Sequence, residues 1–176
     1  PYELARQRRA TIYAEIIGYA TTADAHHITE PDPQGKGAEL AVRQALDCAE
    51  IMPKMIDYVN AHATGTTIGD QIEMEVLQRI FQENNQPFVS STKGQTGHLL
   101  GAAGALEAII TSLTIQTGIL PVNLFGSQPI ETCSLNLVPE SSLQKPVRYA
   151  LSNSFGFGGV NTALVFRQPD LTIDHR

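Results

Sequence analysis

Residues 56–91 read IDYVNAHATGTTIGDQIEMEVLQRIFQENNQPFVSS. Ile56–Ala61 is a short apolar run that follows a Pro-containing turn, which predicts a strand. From Asp70 to Phe81 the apolar residues Ile72, Val76, Leu77 and Ile80 return at helical spacing, so a helix with one apolar face is expected there. Pro87–Ser91 is a second short strand, and it runs into a glycine-rich loop. Strand, helix and strand in succession is the pattern of an α/β domain.

Outward from this unit the alternation continues. Thr11–Thr22 is rich in β-branched and aromatic residues and predicts a strand. Pro31, Pro33, Gly35 and Gly37 punctuate a loop. Ala38–Ile51 predicts an amphipathic helix with Leu40, Ala41, Ala45, Leu46 and Ala49 at helical spacing and Cys48 in its interior. Leu99–Thr117 predicts a further helix, and Val147–Ser152 and Val160–Phe166 predict strands flanking FGFGG, a turn-rich segment suited to a hairpin. The expected order is βαβαβαββ, a mixed five-stranded sheet covered by helices. No stretch reads as a linker, so residues 1–176 are expected to form one domain.

Composition narrows the function classes. Charged residues make up 17% of the 176, against a typical value of about 25%. Such depletion suggests that part of the surface faces another protein surface. The net charge of −6 leaves no basic footprint for nucleic acid; Arg6, Arg8 and Arg9 form only a short run, read as a solvated helix face. Cys48 and Cys133 fit neither a disulfide framework nor metal-ligand spacing, which favours a reducing, cytoplasmic compartment. Leu99–Leu120 is the one membrane candidate; Glu107, Gln116 and its many small residues make it a buried helix instead. No signal peptide is evident, and a first residue of Pro suggests that the true start is missing.

Three segments carry candidate chemistry, each expected at the C-terminal end of a strand, where α/β sheets place their sites. They are Asn60–Asp70 (NAHATGTTIGD), Ser91–His98 (STKGQTGH) and Asn153–Gly159 (NSFGFGG). Singly, each has an ordinary explanation. A lone His near a strand end is usually structural, and a glycine-rich loop is usually a turn. The second segment lacks the Gly-Lys-Ser/Thr of a phosphate cradle, and nothing has the H-E-x-x-H spacing of a metal site. His26 and His27 are adjacent, so on a strand they would face opposite ways.

Together, the patterns N-A-H-x-T-G-T-x-x-G-D, S-S-T-K-G-x-T-G-H-L-L-G-A-A-G and N-S-F-G-F-G-G-x-N-T resemble the C-terminal half of β-ketoacyl-acyl-carrier-protein synthases, condensing enzymes of the thiolase fold. The likeness runs from about Thr11 to Phe166. D-A-H-H-I-T (Asp24–Thr29) and the stretch from Asn123 to Pro139 resemble the bacterial-type elongating branch. The resemblance implies a decarboxylative Claisen condensation in fatty-acid synthesis. His62 and His98 match the histidines that stabilise the enolate, and Lys93 matches a lysine that organises the site. A neutral His98 would suit that role, and a place at the start of an apolar helix would help to keep it so. Thr64 and Thr66 match hydroxyls that bind the pantetheine arm. Phe155 matches an aromatic gate whose backbone N–H serves the oxyanion hole, with Phe157 on the same substrate side. Glu107, Asp70 and Gly156 are expected in support. No metal and no resident cofactor are expected, since phosphopantetheine arrives on the acyl carrier protein.

The resemblance also has gaps. The family's nucleophilic Cys lies in an N-terminal half with no counterpart here, and Cys48 and Cys133 read as structural. The implied partners are therefore that N-terminal half, acyl carrier protein, and a second copy in a dimer of complete units. Ala63 stands where Gly is common, and Thr67-Ile68 where Pro often follows the second Thr. The competing readings are a non-catalytic, chain-length-factor-like remnant, half of a polyketide ketosynthase, and a truncated gene product.

Overall fold

A computed structural model of the chain describes residues 2–82, 86–124, 133–141 and 143–170. The elements, in chain order, are α1 (Tyr2–Gln7), β1 (Glu15–Ala23), α2 (Lys36–Cys48), β2 (Tyr58–Asn60), α3 (Thr67–Ile80), β3 (Phe88–Ser90) and α4 (Lys93–Thr96). After a 3₁₀ turn at Leu100–Ala102 come α5 (Ala103–Thr117), β4 (Ile119–Leu120), β5 (Asn136–Leu137), β6 (Leu143–Gln144), β7 (Tyr149–Gly156) and β8 (Val160–Arg167).

The main sheet has the order β1-β8-β7-β2-β3-β5, and β4 and β6 form a separate two-stranded ribbon. Strands β7, β2, β3 and β5 run parallel, and β8 is antiparallel to both of its neighbours. The expected mixed α/β fold is present, with one more strand in the sheet than the five predicted. The addition is β5, which contributes only the pairs Phe88↔Asn136 and Val89↔Leu137, too short to show an alternating pattern.

Alternation along the long hairpin strands separates two cores. Leu151 and Val165 belong to the larger core with α2 and α3; Ala150 and Phe166, one residue along, belong to the other with Tyr58 and Ile115 of α5. A strand turns successive side chains to opposite faces, so both of these strands are buried on two sides.

Several boundaries move for local reasons. Strand β1 begins at Glu15 rather than Thr11, where its partner β8 ends at Arg167. Helix α2 begins two residues early, after Gly35 at φ +62, with the Asp32 carboxylate accepting the backbone N–H of Gln34 and Lys36. It ends at Cys48, before Glu50 at φ +54. Cys48 is thus the exposed last residue of the helix and not an interior one. Leu40 is 49% exposed while Val42 is fully buried, so the apolar face of α2 is rotated from the predicted one.

The largest departure concerns the region predicted as a buried helix from Leu99. Leu100 sits at φ +52, an unfavourable conformation for a bulky residue, and the α-helix begins only at Ala103. Its inner face carries Glu107, Thr111 and Thr114, whereas Ile109 and Leu113 on its outer face are 58% and 43% exposed. Helix α5 is therefore covered on one side only. Among the described residues no helix is long and apolar enough to cross a membrane.

Strand β1 and helix α2 meet at Gly18, in a bulge. A Cβ there would lie 2.8 Å from the Ala49 Cβ and 2.9 Å from the Ala49 nitrogen. Gly18→Ala should therefore lower stability by about 1–3 kcal/mol, as overpacking does. Gly101→Ala, whose Cβ would meet nothing within 4 Å, should be near neutral. Urea unfolding of the two variants checks this, and equal effects would contradict it.

Candidate active site

Register brings the three chemical segments together. Asn60 of β2 pairs with Ser90 of β3 on one side and with Ser152 of β7 on the other. All three strands run the same way, so the chain leaves β2 and β3 at one sheet edge, the edge where such sheets hold ligands. The third segment differs from expectation: residues 153–156 continue β7 instead of following it, because β8 extends the pairing to Gly156↔Val160. Phe155 is thereby held on a strand, while Phe157 sits in the hairpin turn, 78% exposed.

His62 lies just beyond β2. Its ring centroid is 5.6 Å from that of His98, with the planes at 84°, and 5.6 Å from that of Phe155. Burial is the main force on its basicity, the ammonium of Lys93 adds to it, and the nearby His98 acts in the same direction. Together they bring its pKa down from 6.5 to about 3, so the imidazole is neutral near pH 7. His98 is exposed and lies between Gly97, at φ +70, and the 3₁₀ turn. It is thus five positions short of α5 rather than at its first turn, which removes the helix-terminus argument for its charge state.

Lys93 opens α4 and is only 7% exposed. A buried ammonium requires a partner, and Glu107, one turn into α5 and 2% exposed, supplies it through an ion pair from Nζ to Oε1. Glu107, expected in support, is placed by α5 as the counter-charge of Lys93.

The loop after β2 is shaped by two carboxylates of α3. Asp70 accepts the backbone N–H groups of Thr64 and Gly65 at 3.0 and 3.1 Å. Burial raises its pKa against those hydrogen bonds, which act to lower it. Gly65 sits at φ +83, a conformation that glycine adopts at no steric cost. Thr64 and Thr66, with their Oγ1 atoms 3.2 Å apart, are left on the outer side of this turn.

The second carboxylate, Glu73, was not predicted. It is 3% exposed and accepts the backbone N–H groups of His62 and Ala63 at 2.9 and 2.8 Å, and the side-chain amide of Asn153 at 3.0 Å. Burial pushes its pKa up, and these three donors oppose the shift. Its signal in the sequence is an acid placed three and four residues before Val76 and Leu77, on the apolar face of the helix. Cys133 is half-buried against the larger core, and Cys48 is the exposed last residue of α2. Among the described residues, no group of three or more His, Cys, Asp or Glu is placed to hold a metal ion.

These contacts generate two predictions. Glu107→Gln leaves the Lys93 ammonium buried without its counter-charge, and should cost about 3–5 kcal/mol of stability. The double variant Lys93→Met/Glu107→Leu should recover most of that loss, because a similar apolar volume replaces both charges; denaturant unfolding reads the difference. The second prediction concerns acid. Between pH 6.5 and about 3 the unfolded chain takes up a proton at His62 that the folded chain refuses. The stability this residue confers is complete above pH 6.5 and declines as the pH falls through that window. His62→Gln should therefore lose less Tm than the parent between pH 7 and pH 4, and an equal loss would show that His62 is not held neutral.

The family model for the β-ketoacyl synthase C-terminal domain matches residues 13–126. The chain is 49% identical over 169 residues to the mitochondrial 3-oxoacyl-[acyl-carrier-protein] synthase of Arabidopsis thaliana, covering 94% of this chain and 37% of that protein. It is 46% identical over 166 residues to the 3-oxoacyl-[acyl-carrier-protein] synthase 2 of Staphylococcus aureus, covering 94% and 41%. Among solved structures, a β-ketoacyl synthase from Burkholderia phymatum superposes with TM-score 0.88 at 37% identity, over 96% of this chain and 40% of that one. A type II PKS acyl-carrier protein in complex with its ketosynthase bound to the hexaketide gives TM-score 0.91 at 32% identity, over 96% and 42%. The chain spans about two fifths of the length of these relatives. With the thiolase-like sheet, the paired histidines and the buried lysine all in place, the chain belongs to the β-ketoacyl synthase family, as its C-terminal domain.

Proposed function

We propose that this chain is the C-terminal half of a 3-oxoacyl-[acyl-carrier-protein] synthase, and that its site stabilises the enolate formed when malonyl carrier protein loses CO₂. The observation that carries the reading is the pair of imidazoles of His62 and His98, 5.6 Å apart and nearly perpendicular, beside the buried Lys93–Glu107 pair.

The chemistry follows from charge. When the carbon–carboxylate bond of the malonyl group breaks, its electron pair moves toward the thioester and the thioester oxygen becomes negative. Two N–H donors already aimed at that oxygen stabilise the charge with little reorganisation. A neutral His62 can donate an N–H without giving up a full proton, and its burial and the nearby ammonium of Lys93 keep it neutral. The enolate carbon then attacks the acyl thioester carbon on a cysteine of the complementary half. The tetrahedral oxyanion collapses and expels the cysteine thiolate, with the backbone N–H of Phe155 serving that oxyanion. Thr64 and Thr66, on the outer side of the loop braced by Asp70, would bind the pantetheine arm.

The complementary half would pack on the outer face of α5, where Ile109 and Leu113 are 58% and 43% exposed, together with Leu100 of the preceding turn, 69% exposed. Complete units would pair as dimers and work in the cytoplasm, whose reducing conditions suit the free cysteines Cys48 and Cys133. Acyl carrier protein is the macromolecular substrate. A chain-length-factor-like remnant would have no chemical need for His62, His98 and Lys93 together. A polyketide ketosynthase would use the same site; identities of 46–49% to 3-oxoacyl synthases, against 32% to the polyketide ketosynthase structure, favour the fatty-acid reading.

The test is made on the complete synthase, this chain together with its cysteine-bearing half. His62→Ala and His98→Ala should each lower CO₂ release from malonyl carrier protein by about 10²- to 10³-fold, the usual cost of one lost donor to an oxyanion. Acylation of the nucleophilic cysteine, followed by intact mass, should be preserved. Loss of acylation with decarboxylation intact would sink the assignment.

A further inference from the structure

We propose that Asn123 and Ser91 are positioning residues that hold the Lys93 loop in register with the His62 loop; the inference rests on the reading of the site given above. The pairing of β3 with β5 stops at Val89↔Leu137, although the Val138 N–H still reaches the Val89 carbonyl at 2.9 Å. Beyond that point the Asn123 side chain takes over the pairing. Its amide nitrogen donates to the carbonyls of Val89 and Val138 at 3.1 and 3.0 Å, and its oxygen accepts the Ser91 N–H at 2.9 Å. One side chain thus bonds β3, the residue that follows β3 and the residue that follows β5.

Ser91 passes the constraint on. Its hydroxyl donates to the Ala63 carbonyl at 2.8 Å, and Ala63 is the residue after His62, with its own N–H on Glu73. Two residues beyond Ser91 stands Lys93. The neighbours of Asn123 brace the same turn from outside: Gln95 donates its side-chain amide to the Val122 carbonyl at 3.0 Å. A Cβ on Gly94 would fall 2.8 Å from the Leu124 carbonyl oxygen. Segment 122–124 therefore fixes the start of the chain that runs from Lys93 to His98. Asn123, Ser91 and Ala63 thus form a continuous hydrogen-bonded connection to the His62 loop, and the Lys93 N–H reaches the same Ser91 hydroxyl at 3.4 Å.

Neither residue touches the histidines, so their effect on catalysis passes through placement. Displacing a catalytic group by about 1 Å can cost on the order of 10²-fold in rate. The test uses the complete synthase and three variants: Asn123→Asp, which keeps the acceptor and removes both donors; Ser91→Ala; and Ser91→Thr, which keeps the hydroxyl. Asn123→Asp and Ser91→Ala should lower kcat for malonyl decarboxylation by about 10- to 100-fold, with KM and cysteine acylation unchanged. Ser91→Thr should retain most of the rate, and the double variant Ser91→Ala/Asn123→Asp should lose less than the product of the two single losses. Parental kcat in both single variants would overturn the proposal. So would a joint fall in decarboxylation and acylation that follows the loss of Tm, or multiplicative losses in the double variant. His62→Ala, run in parallel, separates the two failures. If His62→Ala lowers decarboxylation by about 10²- to 10³-fold, as expected, and the Asn123 and Ser91 variants keep parental kcat, only the positioning role is wrong; if His62→Ala keeps the parental rate, the site reading itself is wrong.

Discussion

A single buried carboxylate sets the geometry on which this site depends. Glu73 stands on a helix otherwise packed through Val76, Leu77 and Ile80, and it accepts hydrogen bonds from the loop carrying His62 and from Asn153 of the hairpin strand. An acid in an apolar core is costly unless its oxygens are bonded, and here three donors bond them. Those donors come from two different parts of the chain, so the helix, the loop and the strand cannot shift independently without leaving a buried oxygen or N–H unpaired. The position of His62 relative to Phe155 follows from this constraint as much as from the sheet beneath.

Around that fixed point the charges divide by function. Lys93 and Glu107 form a buried pair that is close to neutral overall, yet the ammonium stands near enough to His62 to lower its pKa, while Asp70 and Glu73 are spent on backbone N–H groups. An imidazole that is to donate an N–H without giving up a full proton must stay neutral, and a low pKa at the buried His62 serves that need. Such an arrangement could not be built from histidines in water, where each would be half-charged near its ordinary pKa. Burial and one neighbouring cation turn a general acid–base residue into a neutral donor.

Much of this was legible in the sequence because local physics left marks on it. The apolar spacing of Ile72, Val76, Leu77 and Ile80 located α3, the FGFGG turn located the hairpin, and the motif around His62, Lys93 and His98 located the site. Glu107 was legible as a supporting residue in a helix, but not as the partner of Lys93. Glu73 left a mark that went unread, an acid on an apolar helix face. Ser91 and Asn123 stand inside the quoted motifs, yet their role there was illegible: their bonds join residues 32 and 28 positions apart, and polar residues in loops look alike until the fold brings them together. Strand β5 was hidden by brevity, and Leu100 by a backbone conformation that its side chain does not favour.

The misplaced prediction of a buried helix carries the last step. Helix α5 hides Glu107, Thr111 and Thr114 beside Ala103 and Ile115 and turns Ile109 and Leu113 outward, whereas a surface helix ordinarily keeps its polar residues on the outside. The inward polar residues have a purpose, since Glu107 holds Lys93 in the site. The outward apolar residues have none in a chain that ends its packing there, and an apolar stripe left in water marks a contact surface. Both faces make sense if α5 is an inner layer, flanked by this sheet on one side and by a complementary half on the other. Under the proposed packing, the low content of charged residues would have a structural cause: a chain with a large surface reserved for a partner has less surface on which to place charge.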